Sequence, residues 1–138
     1  MDGGCRTRAQ GRARISFARS TMQLFDSAHI ALERALQGSS MRHAALSENI
    51  ANVNTVGYKR KDVDFQSALQ AAMPGGSDAI GSVPFATNVD DSAPVRADGN
   101  SVDMDTEAAG LAQNALEYEA LTQVLRSRDE IIRSAIGS

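Results

Sequence analysis

The sequence predicts an all-α, elongated protein in which two long terminal helices pack as a coiled-coil-like hairpin, with an extended or mobile segment between them. Three observations carry this expectation. The 138 residues include only six aromatic side chains and no Trp, so the apolar 42% is mostly Ala, Leu, Ile, Val and Met, which suit helices and build a thin core. Two stretches, one on each side of the chain's middle, repeat apolar residues in alternating steps of four and three. All three prolines fall between those stretches.

The chain begins with a segment unlike the rest. Residues 1–21 hold five arginines against the single acid Asp2, a charge of +4, which leaves −7 for the remainder of a chain whose total is −3. The segment has no apolar period, so it is expected to be a disordered Arg-rich extension, compatible with a translated upstream region and a natural start at Met22. A basic arm for nucleic acid or membrane is the alternative that the composition offers. The acidic remainder offers no footprint for nucleic acid.

The first helix is expected over residues 22–56. Phe25, His29, Leu32, Leu36, Ser39, His43, Leu46, Ile50 and Val53 follow one another at the seam spacing, and six of the nine are apolar. The stripe is narrow. His29, Ser39 and His43 read as polar layers or register markers, because neither His has a nucleophile or acid partner nearby in sequence.

A turn and short helix are expected over 57–72. Asn49, Asn52 and Asn54 tolerate left-handed geometry and Gly57 permits positive φ, so the first helix should stop there. Beyond it Val63 and Phe65 alternate with Asp62 and Asp64, and Phe65, Leu69 and Ala72 return to helical spacing. Residues 73–102 gather the prolines with Gly75, Gly76 and Gly99 and are expected to form a mobile loop, in which Ile80, Val83, Phe85, Val89 and Val95 pair as short strands when a partner is present.

The last helix is expected over 103–138. Met104, Ala108, Leu111, Ala115, Tyr118, Thr122, Leu125, Asp129, Ile132 and Ile136 define its seam, with Leu121, Val124 and Ile131 widening the stripe. Asp98-Gly99-Asn100 is a turn tripeptide, and Asp103, Asp105 and Glu107 suit a helix N-terminus. The acidic cluster is no EF-hand: counted from Asp98, the sixth position is Asp103 in place of Gly and the twelfth is Ala109 in place of Glu.

Site chemistry is excluded on similar grounds. His29 and His43 stand 14 residues apart, which is roughly 21 Å along a helix and too far to share a metal. Cys5 is alone. No run approaches a membrane span, and no apolar stretch precedes a small-residue cleavage site. With no nucleophile-base pair and no phosphate-cradling loop, neither a catalytic role nor a cofactor nor a small-molecule substrate is expected.

The most specific text lies where the first helix ends. Asn49, Ile50, Ala51, Asn52, Thr55, Gly57, Tyr58 and Lys59 resemble the N-I-A-N-x-x-T-P-G-Y-K signature of bacterial flagellar rod, hook and axial proteins; Val56 stands where the family usually has Pro, so the turn is expected to be less rigid. Three further features narrow the likeness to the proximal-rod members: the opening Met22-Gln23-Leu24-Phe25-Asp26, the run from Lys59 through Asp62 and Asp64 to Phe65, and Asp98-Gly99-Asn100-Ser101-Val102-Asp103-Met104-Asp105 leading into Asn114, Tyr118 and Leu121. The likeness covers residues 22–138.

The resemblance implies a non-enzymatic building block of the flagellar basal body, exported through the flagellar type III apparatus without a cleaved signal. It implies a subunit of the periplasmic rod that stacks with itself and other rod proteins, between the membrane ring and the distal rod, with membrane-ring and rod-adaptor proteins as neighbours. Phe25, Leu32, Leu36, Leu46 and Ile50 on the first helix, and Leu111, Tyr118, Leu121, Leu125 and Ile132 on the last, are then the packing residues within and between subunits. The competing expectation is a small exported helical-hairpin binding or adaptor protein that does not polymerise.

Overall fold

The computed structural model describes the backbone of residues 9–137 and the side chains of residues 26–137. Helix α1 spans Ala9–Ala51, strand β1 Lys61–Asp62, helix α2 Phe65–Ala72, a single 3₁₀ turn Met73–Gly75, helix α3 Gly76–Ser82, strand β2 Asn88–Val89 and helix α4 Met104–Ile136. The protein is mostly helical, and no described helix is long and apolar enough to cross a membrane.

The backbone of α1 begins inside the Arg-rich segment that the charge pattern sets apart from the helix. Ala9, Gln10, Arg12, Ala13 and Arg14 are good helix formers, which is the local reason for the extension. The expected packing residue Phe25 lies outside the described side chains.

The core sits between α1 and the α2–α3 pair. Phe65, Leu69, Val63, Ile80 and Ala45 are buried together, and Ile30, Ala31, Ala35, Met41, Ala72 and Phe85 close around them. Gly38 makes this approach possible: a Cβ there would stand 2.3 Å from Phe65 Cγ, so the aromatic ring occupies the space of the missing side chain. Phe85 meets Phe65 edge-on at 6.2 Å, with the Arg34 guanidinium 4.5 Å from the Phe85 ring and that of Arg42 4.7 Å from the Phe65 ring. Asp64 caps α2 by accepting from the Ser67 amide at 3.1 Å.

Residues 73–102 are therefore not one loop. Gly76, at φ +76°, turns the chain into α3, which delivers Ile80 into the core and ends against Arg34, whose guanidinium donates to the Val83 carbonyl. Val89 pairs with Lys61 and Asn88 with Asp62 in an antiparallel ribbon. Burying Ile80 and Val83 is the physical reason this Gly- and Pro-rich stretch has a defined path.

Helices α1 and α4 run antiparallel. Asn49 faces Glu107, Leu46 faces Gly110, Ser39 faces Asn114 and His29 faces Asp129. The face of α4 turned to α1 follows the seam expected from spacing only in part: Leu111 and Leu125 are half-buried and Asp129 meets His29, but the buried residues of the helix are Glu107 and Asn114, while Tyr118 and Ile132 are 45% and 43% exposed. Polar residues occupy the inner positions because each finds a partner on α1, and Asn114 exchanges hydrogen bonds with Ser39, donating to its carbonyl at 3.0 Å and accepting from its hydroxyl at 3.1 Å. Leu32, Leu36, Leu111, Leu121 and Leu125 are half-buried, and Leu46 is fully buried.

Candidate functional site

The segment after α1 folds into a turn closed from a distance. The Asn52 amide donates to the Glu48 carbonyl, Thr55 N–H to the Asn52 carbonyl and Tyr58 N–H to the Thr55 carbonyl, with Gly57 at φ +73° reversing the chain. Asn100 closes this turn from outside: its side-chain amide lies 3.0 Å from the Asn52 carbonyl, 3.1 Å from that of Val53 and 2.8 Å from that of Thr55. A residue 48 positions later in the chain thus caps the turn that follows α1.

The cap is itself held in place. Asn100 N–H donates to Asp98 Oδ1 at 3.1 Å, its Oδ1 accepts from Val102 N–H at 2.7 Å, and Gly99 turns at φ +81°. Gly57 N–H donates to the Asp98 carbonyl, and Ser101 N–H to the Tyr58 carbonyl. The two turns touch where neither has a side chain, since a Cβ on Gly99 would lie 3.4 Å from Gly57 Cα.

Beneath the turn lies a buried polar chain. Asn49 donates to the Lys61 carbonyl at 2.8 Å and to Glu107 Oε2 at 2.9 Å, and its Oδ1 accepts from Lys61 N–H at 3.0 Å and from the Tyr58 hydroxyl at 3.4 Å. Glu107 accepts from Arg60 Nε at 2.6 Å, and Arg60 Nη1 reaches Asp90 Oδ2 at 2.5 Å. Asn49 and Glu107 have no exposure to solvent. Burial opposes the Arg60 charge, and the bonds to Glu107 and Asp90 outweigh it, leaving the guanidinium above the ordinary arginine value. At the rim, Lys61 meets Glu48 at 2.5 Å, and its hydrogen bond lowers the Glu48 carboxyl below the usual range.

The structure brings together Asn49, Asn52, Thr55, Gly57, Tyr58, Asp98, Gly99 and Asn100 from the sequence motifs. Ile50 packs half-buried, Ala51 and Lys59 are exposed, Asp62 pairs with Arg42 at 3.4 Å, Asp64 caps α2 and Phe65 enters the core. Arg60, Ser101 and Glu107 are members that spacing does not reveal, because Glu107 reads as an ordinary charge at a helix N-terminus until the fold sets Arg60 beside it. Chemically the arrangement holds and does not react. Its polar groups are spent on one another, and among the described residues no group of three or more His, Cys, Asp and Glu side chains is placed to hold a metal.

Comparison with known proteins agrees with this architecture. The family model described as flagella basal body rod protein matches residues 31–59, the end of α1 and the turn. The chain is 33% identical to the flagellar basal body rod protein FlgB of Escherichia coli K12 over 105 residues, covering 63% of this chain and 76% of that protein. It is 32% identical to FlgB of Salmonella typhimurium LT2 over 114 residues, covering 70% of this chain and 83% of the relative. Against FlgB of Bacillus subtilis 168 it is 28% identical over 127 residues, covering 83% and 97%. These likenesses make the chain a flagellar rod component, a structural protein and not an enzyme. Within that class the chain belongs to the FlgB family.

Proposed function

We propose that the chain is a subunit of the proximal rod that polymerises through its terminal helices, packed as a coiled-coil-like hairpin, and transmits torque along the periplasmic shaft. On this reading it travels through the flagellar type III apparatus without a cleaved signal, and its neighbours are further copies, other rod proteins, and membrane-ring and rod-adaptor proteins. The supporting observation is the outer face of α4. Ala112, Leu116 and Ala120 lie on the side of α4 away from α1 and Val124 and Ile131 on its flank, and all are exposed, Leu116 by 68% and Ile131 by 69%. An exposed apolar surface on a helix already packed on its other side calls for a neighbour. The interlocked turn fixes the angle at which α4 presents it.

Cross-linking tests this. With Cys5 changed to Ser and Val124 to Cys, assembled basal bodies treated with a short bifunctional thiol reagent should yield a cross-linked pair containing this chain. A strictly monomeric band from intact basal bodies would contradict polymerisation through α4.

A further inference from the structure

We propose that the Arg-rich start of α1 docks in a groove along α4 of a second copy of the chain. The groove consists of two adjoining hollows of about 620 and 340 Å³ that share Tyr118 and Glu119. Ala115, Tyr118, Thr122 and Arg126 run along it at helical spacing, and His43 of α1 forms a second wall beside Ala115. With 3.6 residues per turn, this row lies on the flank of α4 opposite Val124 and Ile131, a different surface from the apolar one assigned to polymerisation. Glu119 and Glu130 also line the groove, and both are exposed. Among the described residues neither has an ion-pair partner. They stand eleven residues apart, about 16 Å along the helix.

The register that sets His29 against Asp129 and Asn49 against Glu107 brings Ile136, the last residue of α4, level with residues 20–22 of α1. The backbone of α1 starts at Ala9, so residues 9–19 run on as helix beyond the end of α4, over about 16 Å. A single helix of that length is marginal in water and gains by packing. The stretch holds Arg12, Arg14 and Arg19 with no acidic residue, and Ile15 and Phe17 give it apolar surface. Its positive charge thus meets two unpaired carboxylates set over the same length. Laying a helix in a groove is a recurring mode of recognition, and charge selects the partner. Within one chain the continuous helix carries the stretch away from its own groove, so the groove it takes belongs to another copy. Because arm and groove are different surfaces, the contact is head-to-tail and repeats along a stack. It is read on the purified chain, and so stands or falls separately from polymerisation through the apolar surface of α4.

A photoreactive maleimide on Cys5, the single cysteine of the chain, reads the contact in the purified full-length protein. Isotope-labelled and unlabelled chains are mixed, so that peptides joined between copies carry both labels. Adducts should fall on residues 114–130 of the other copy and decline as salt is raised. Arg12→Glu, Arg14→Glu and Arg19→Glu together, or Glu119→Arg with Glu130→Arg, should lower their yield by about fivefold or more with helicity unchanged by circular dichroism. The two sets combined should bring the yield back to within about twofold of the parent. Adducts confined to one chain, adducts between copies that map elsewhere, or a combined variant no better than either set would overturn the proposal. An intact mass showing that the chain in basal bodies begins at Met22 would overturn it as well.

Discussion

Asn49 and Glu107, 58 residues apart in the chain, meet at 2.9 Å with neither exposed to solvent, so the end of the first helix and the start of the last share one hydrogen bond. Asn49→Leu keeps the branched outline and removes the amide, stranding a buried carboxylate oxygen and the Lys61 backbone. It should destabilise the subunit by about 3 to 5 kcal/mol, whereas Glu107→Gln, which keeps an acceptor for Arg60, should cost less. Urea unfolding of the purified chain ranks the two.

Asn100→Asp is nearly isosteric and replaces a donor by an anion facing the Asn52, Val53 and Thr55 carbonyls. The expected loss is about 2 to 4 kcal/mol, and it should exceed that of Asn100→Ala, which removes the side-chain donor while the Asn52 and Thr55 carbonyls keep their backbone partners. Faster amide exchange confined to residues 50–58 would accompany both.

Three glycine substitutions should separate strain from crowding. A Cβ added at Gly57 would stand in open space, so Gly57→Val suffers chiefly from its φ of +73°, costing about 1 to 3 kcal/mol. Gly99→Ala adds contact with Gly57 to the same strain. Gly38→Ala has an ordinary helical backbone but drives a Cβ into the Phe65 ring at 2.3 Å, and it should be the most damaging of the three. Thermal unfolding gives the order.

Acid should loosen the helix starts. The Ser67 hydroxyl and amide hold the Asp64 carboxyl below its ordinary value, and the Thr106 amide does the same for Asp103. A carboxylate whose folded value is depressed contributes stability above its unfolded value, and that contribution fades as pH falls through the folded one. Helicity followed by circular dichroism should therefore decline from about pH 4 downward, and the double variant Asp64→Asn, Asp103→Asn should flatten this part of the profile. An identical profile in the double variant would show that the caps do not titrate as described.

The helical class and the turn were legible because they are written locally: seam spacing over Leu32 to Ile50, asparagines and Gly57 at a helix end, Asp103 before a periodic run. What spacing did not reveal was which residues of α4 are most deeply buried. Apolar periodicity selects Tyr118 and Ile132 beside Leu111 and Leu125, yet Glu107 and Asn114 are the ones fully buried, because burial of a polar side chain depends on a partner that only the folded chain supplies. The path of residues 73–102 was hidden for a related reason. Gly and Pro mark irregular backbone, and nothing local announces that Gly38 leaves room for Phe65 or that Ile80 will cover it.

The central claim is that the exposed apolar side chains of α4 form a contact between subunits and are not part of the folding of one. The measurement that bears on it most directly is the incorporation of a Leu116→Asp, Ile131→Asp double variant into basal bodies, set beside the unfolding curve of the same purified protein. Both side chains are about two-thirds exposed in the single chain, so the unfolding free energy should stay within about 0.5 kcal/mol of the parent while incorporation and swimming are lost. Normal incorporation of a stably folded double variant would contradict the account.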